Sequence, residues 1–144
     1  RPGLSGTPPA IDARTIDGQS VSLASLHGKV VLIDFWATWC RPCIAEIPHI
    51  RRVSEQHHAS GFEVIGVSLD QNRDALKAFL ARERLPWPQI FDADAPPGQR
   101  LAERYGVKFI PHTLLIGRDG QIIASSLRGS ELDRAVTKAL RSPS

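Results

Sequence analysis

The chain of 144 residues has no methionine, only two cysteines and no long apolar run, and each shortage removes a class of protein. Its longest unbroken apolar stretches, such as Val30 to Ile33 and Leu114 to Ile116, fall far below the roughly 20 residues that a membrane-spanning helix needs. Two cysteines do not make the disulfide framework of a small secreted domain, so compartment cannot be settled by counting them. For a zinc site they supply half a ligand set. The rest would have to come from His49, His57 or His58, which a helical reading puts on its surface. Like charges are nowhere gathered into a run of five or six: 18 basic and 15 acidic residues interleave, for a net charge of +3. Arg51-Arg52 and Arg82/Arg84 therefore read as solvated helix faces, and no nucleic-acid partner is expected. Nothing is rich enough in Pro, Gly or Ser to form a long internal linker, and no repeat is visible. With 42% hydrophobic residues, residues 1–144 are read as a single domain and monomer, with 1–9 as a flexible Pro/Gly-rich segment. A chain that opens on Arg1 without any Met also looks trimmed, with a signal peptide, membrane anchor or further domain expected upstream.

What is present is a regular alternation of elements. Ile11 to Leu23 reads as a hairpin around Asp17-Gly18, the strongest two-residue turn signal. Val30 to Trp36 is a continuous apolar and β-branched run, as in a central strand covered on both faces, with Asp34 as its anomaly. A helix is expected from about Cys43 to His58, with Ile44, Ile47, Ile50 and Val53 on one side and a costly Pro48 inside. Phe62 to Leu69 reads as a second buried strand, completing a βαβ unit. Asn72 is the expected cap of a helix to Arg84, striped by Ala75, Leu76, Phe79 and Leu80. Gln89 to Phe91 then forms a brief strand, followed by a short helix carrying Leu101, Ala102 and Tyr105. A last hairpin pairs Thr113 to Ile116 with Ile122 to Ser126, and Ser130 with Asp133 predicts a capping box for the closing helix.

The chemistry concentrates in Cys40-Arg41-Pro42-Cys43, directly after the central strand. Two intervening residues let the sulfurs meet across a first helical turn, within the Cα separation that a disulfide tolerates. The leading Cys40 faces the unpaired N–H groups and positive dipole end of the helix, which stabilise its thiolate, so it is the expected nucleophile and Cys43 the resolving thiol. Arg41 adds a cation beside the thiolate, whereas Pro42 offers no N–H to solvate either sulfur. Potentials of such motifs span about −270 to about −120 mV, so these two residues name no value. A buried, inert pair is the alternative.

Phe35-Trp36-Ala37-Thr38-Trp39-Cys40-Arg41-Pro42-Cys43, with Glu46 and Pro48 following, resembles the TlpA/ResA/DsbE group of thiol-disulfide oxidoreductases over nearly the whole chain. The resemblance implies a thioredoxin-like α/β fold: a central mixed sheet flanked by helices, with an N-terminal hairpin and an inserted helix. It implies that Asp34 is the buried acid beneath the cysteines, exchanging a proton with Cys43 through water; a strand-edge carboxylate paired with Lys29 is the alternative. It makes Glu46 an active-site acid, against the plainer reading of an exposed first-turn glutamate. Ile110-Pro111 is implied to be a cis-proline turn facing the dithiol, its backbone pairing with an incoming substrate chain. His112 follows, either stabilising the Cys40 thiolate or standing as a half-exposed loop histidine. Trp36 and Trp39 are expected to pack the site, with Trp39 shielding the sulfurs, and Trp87 to pack at the surface. The activity implied is extracytoplasmic, periplasm-facing protein-disulfide reduction, as in cytochrome c maturation, with thiol- or disulfide-bearing protein substrates. A membrane electron donor is expected and a dissociable cofactor or metal is not. A disulfide-forming oxidant, a thiol peroxidase and a non-catalytic binding module are the alternatives.

Overall fold

A computed structural model describes residues 6–143. Strands β1 (Asp12–Arg14) and β2 (Ser20–Ser22) form the expected antiparallel hairpin. Around the central β3 (Val30–Trp36) lie β4 (Phe62–Ser68), β5 (Gln89–Phe91), β6 (His112–Ile116) and β7 (Ile122–Ser125), in the order β5-β4-β3-β6-β7. Strands β3, β4 and β5 run parallel, while β6 and β7 are antiparallel additions. Every residue of β3 is buried, which is why its apolar run does not alternate.

Helices α1 (Arg41–His57), α2 (Arg73–Glu83), α3 (Leu101–Arg104) and α4 (Ser130–Arg141) cover the sheet. One face, with Val31, Ile33 and Phe35, packs against the hairpin, Leu101 of α3 and Tyr105 just after it. The other carries Val30 and Leu32 against Ile50 and Val53 of α1 and Leu132 and Val136 of α4. At the upper end of that face Trp36 meets Cys43, Ile47, Leu76 and Phe79. Parity along β3 therefore sends Asp34 and Trp36 to the α1 side and Phe35 to the α3 side.

Several sequence expectations shift here. Helix α1 starts at Arg41, two residues before the expected Cys43, because Cys40 is its N-cap and Pro42, lacking an N–H, suits the first turn. It then runs through Pro48, which faces outward. Asn72 caps α2 as expected, its Oδ1 accepting from the N–H of Ala75, but Ala75 itself is exposed. The Ser130/Asp133 capping box does not form: Gly129 is the N-cap of α4, without a side-chain cap, and Asp133 Oδ1 lies 3.0 Å from Nε2 of His57. Trp87 is buried rather than superficial, joining the core cluster that holds Ile50 and Val53 of α1 and Val64 of β4, because it lies two residues before the buried strand β5.

Of the segment expected to be flexible, residues 1–5 lie outside the described residues. Gly6 bridges to Ile122, and the carbonyl of Pro9 accepts from the hydroxyl of Tyr105.

Candidate active site

Cys40 and Cys43 are joined by a disulfide across the first turn of α1, with Cα atoms 5.3 Å apart. Both are buried, and Cys40 Sγ accepts from the N–H of Cys43 at 3.3 Å. No acidic residue occupies the first turn of α1, so nothing offsets its dipole at Cys40. A thiolate formed here on reduction meets oriented N–H groups, with Arg41 exposed next to it in the chain.

The turn before the disulfide is held by a residue that sequence reading missed. Asp70, 2% exposed just beyond β4, accepts from the Thr38 N–H at 3.0 Å and the Thr38 hydroxyl at 2.6 Å. Its other bond comes from the Ser68 hydroxyl, also at 2.6 Å. Behind this knot, Trp36 Nε1 donates to Gln89 Oε1 at 2.8 Å. The Gln89 amide lies over Gly66, where an added Cβ would come within 2.2 Å of its oxygen, so a side chain there would displace the amide from Trp36. In sequence, Thr38, Ser68 and Asp70 are ordinary polar residues flanking strands; only parallel pairing of β3 with β4 brings them together.

On the other side of the disulfide is a cavity of about 210 Å³, lined among others by Asp34, Pro42, Cys43, Glu46, Phe109 and Pro111. Asp34 is 6% exposed, and no hydrogen bond reaches its carboxyl among the described residues. Its alternative partner, Lys29, instead pairs with Glu63 at 3.2 Å. Burial, and secondly the charge of Glu46, push Asp34 up to about pKa 7. Glu46 is half-buried, and its Oε2 accepts from the N–H of Gly129 at 2.7 Å. Glycine suits that cap, with φ of 58°.

Facing the cavity, the Ile110–Pro111 peptide bond is cis. Ile110 precedes β6, and its backbone N–H and C=O make no hydrogen bond among the described residues. His112 lies on the α3 side of the sheet, its ring 6.0 Å from that of Phe35. Burial lowers its pKa, favouring the neutral imidazole, and its Nε2 is buried without a partner. Trp39, next to Cys40 in the chain, stands 67% exposed, and so does Phe109 at 72%, a residue sequence reading did not single out. His57 and His58 point to Asp133 and Glu63 respectively, away from the disulfide.

A dithiol at a helix N-terminus after the central strand of a mixed sheet, faced by a cis-proline, defines a redox domain of the thioredoxin class. Residues 6–140 match the Redoxin family. The chain is 32% identical over 108 residues to the thiol-disulfide oxidoreductase ResA of Bacillus thuringiensis (strain Al Hakam), covering 75% of this chain and 60% of that protein. For ResA of Bacillus subtilis (strain 168) the figures are 28% over 107 residues, 74% and 58%. The chain thus spans about three fifths of the length of these curated relatives. Among solved structures, the thioredoxin domain of a thiol-disulfide oxidoreductase from Bacteroides vulgatus superposes with a TM-score of 0.84 at 31% identity, covering 98% of this chain and 99% of that one. A Chlorobium tepidum protein assigned as the thiol:disulfide interchange protein DsbE gives a TM-score of 0.84 at 30% identity, over 97% and 99%. The chain belongs to the Redoxin family, as a thioredoxin-fold thiol-disulfide oxidoreductase domain of the ResA and DsbE kind.

Proposed function

We propose that this protein reduces disulfides of other proteins outside the cytoplasm, cycling Cys40 and Cys43 between dithiol and disulfide. The observation that carries the reading is Asp34, bare and buried on the cavity behind Cys43, with its pKa pushed up to about 7. An acid of that strength both takes and returns a proton at neutral pH.

In the reductive direction, the Cys40 thiolate attacks one sulfur of a substrate disulfide. The substrate S–S bond breaks, a Cys40–substrate disulfide forms, and the departing substrate sulfur takes a proton from solvent. Cys43 then gives its proton, by way of water in the cavity, to the Asp34 carboxylate. Its thiolate attacks Cys40 Sγ, the mixed disulfide breaks, and the second substrate sulfur leaves as a thiolate. Two electrons have passed to the substrate and the domain is left with the Cys40–Cys43 disulfide. This cycle needs no dissociable cofactor or metal.

Likeness to ResA and DsbE supports thiol-disulfide exchange; beyond that likeness we propose the reductive direction, a periplasm-facing location and substrates of the kind reduced in cytochrome c maturation. A membrane electron donor would then restore the dithiol. No helix among the described residues is long and apolar enough to cross a membrane itself. The test is a redox titration of Cys40/Cys43 against dithiothreitol and glutathione buffers. A potential below about −200 mV agrees with a reductant, whereas one near about −120 mV, that of a strong oxidant, overturns it.

A further inference from the structure

Among the described residues three large hydrophobic side chains are exposed, Trp39, Phe109 and Ile123. Two of them flank the disulfide. Trp39 immediately precedes Cys40, and Phe109 shares the cavity wall with Pro42 and Cys43. Left in water they keep apolar area exposed, and covering an aromatic side chain favours whatever covers it.

Cations accompany these aromatics. Arg41 opens α1, Lys108 adjoins Phe109, and Arg128 shares the cavity wall; all three are exposed, and none makes a salt bridge among the described residues. The acids of the site do not neutralise them from outside, since Asp34 is buried and Glu46 is held inward by the N–H of Gly129. The rim around the disulfide thus combines apolar area with charge of one sign.

We infer that this rim selects the substrate: an extended polypeptide segment whose cysteine is flanked by an aromatic or large apolar residue and by acidic residues. The inference rests on the disulfide-exchange reading above and names the class of protein segment it serves. A second copy of this chain is not the occupant, because both of its cysteine residues are buried, 5% and 3% exposed, on a rigid turn and cannot be carried to Cys40. An extended strand can carry its sulfur there, and the unbonded backbone of Ile110 offers it a partner. Apolar contact supplies affinity, while opposite charge on the rim supplies selection and encounter rate.

The test uses the reduced full chain and symmetrical disulfides of end-blocked tetrapeptides, Glu-Phe-Cys-Glu, Lys-Phe-Cys-Lys and Glu-Gly-Cys-Glu, with uncharged hydroxyethyl disulfide as the reference. Each rate is divided by that of dithiothreitol with the same disulfide, which removes intrinsic reactivity. The acidic Phe peptide is expected to react about tenfold faster than the basic one at low salt, and the ratio to shrink in about 0.5 M NaCl. In an Arg41→Glu/Arg128→Glu variant, shown to be folded by circular dichroism, that ratio falls several-fold. Phe109→Ser removes most of the advantage of the Phe over the Gly peptide. An acidic-to-basic ratio near one at low salt, or a ratio unchanged in the double variant, overturns the inference while leaving disulfide exchange standing. Failure to exchange even hydroxyethyl disulfide overturns both.

Discussion

The two sides of the active-site turn treat a buried carboxylate in opposite ways. On the Thr38 side, Asp70 is surrounded by donors, the Thr38 N–H and the Thr38 and Ser68 hydroxyls. On the Cys43 side, Asp34 is almost as buried, 6% against 2%, yet faces a cavity and accepts no hydrogen bond among the described residues. They lie on or just beyond neighbouring parallel strands, so strand packing is not what separates them. A saturated carboxylate fixes a loop; a bare one stays ready to change its protonation. The site is therefore rigid where the nucleophile must be presented and labile where a proton must move.

The largest expected effect exposes the cost of the bare carboxylate. Asp34 has a folded pKa of about 7 against an ordinary value of 3.8, so the folded state holds its proton where the unfolded state has lost it. Stability from this group is complete below about pH 4 and is lost as pH rises to about 7, amounting to about 4 kcal/mol across the window. Urea unfolding of the oxidised wild type and of Asp34→Asn, followed from pH 4 to 8, should give curves that diverge by that amount, the wild type falling. Parallel curves would place Asp34 in a solvated site and break the contrast with Asp70.

Next in size is Asp70→Ala. It strands the Thr38 N–H and leaves two hydroxyls to find other partners, costing about 3 kcal/mol of stability at pH 7. Because the Thr38 turn leads directly into Cys40, the exchange rate with hydroxyethyl disulfide should fall as well. A variant with wild-type stability and rate would show that the knot is incidental.

How much of this contrast the sequence displayed depends on the range of the interactions. The uninterrupted run Val30 to Trp36 announced the central strand and made Asp34 conspicuous, because a charge among β-branched residues has few explanations. The spacing of Cys40 and Cys43 is local chemistry and survives any error about the rest of the fold. Helix α1 began earlier than its apolar spacing indicated because the cap is Cys40 itself, which periodicity does not register. The Asp70 knot was illegible for a different reason: its partner Thr38 is far away in the chain and comes near only through the register of β3 with β4. The Glu46 carboxylate on the N–H of Gly129 is likewise a contact between residues far apart in the chain, and the cap of α4 is Gly129 rather than the expected Ser130.

Glu46→Gln should have a smaller effect and sharpen the account of Asp34. The charge of Glu46 is the second cause holding the Asp34 pKa up, after burial. Removing it moves the Asp34 titration downward without restoring its ordinary value, since burial remains. The Gln oxygen still accepts from Gly129, so stability should change by about 0.5 kcal/mol or less. Carboxyl carbon NMR of the oxidised protein reads the titration directly; an upward movement, or none, would mean that Glu46 does not act on Asp34 through its charge.

The smallest effect is expected at the far end of the same strand. Lys29, just before β3, pairs with Glu63 at 3.2 Å with both side chains partly in water. Exposed pairs of this kind are worth about 0.2–1 kcal/mol, so Lys29→Gln should cost about 0.5 kcal/mol and less still at high salt. Lys29 is also the cation that sequence alone offered as a partner for Asp34, and its engagement with Glu63 leaves that acid unneutralised. The Asp34 titration should therefore be the same in Lys29→Gln as in wild type. A clear rise of the Asp34 pKa in this variant would mean that Lys29 had been stabilising its carboxylate, and the contrast between a donor-filled side and a bare side would then have a third participant at the base of β3.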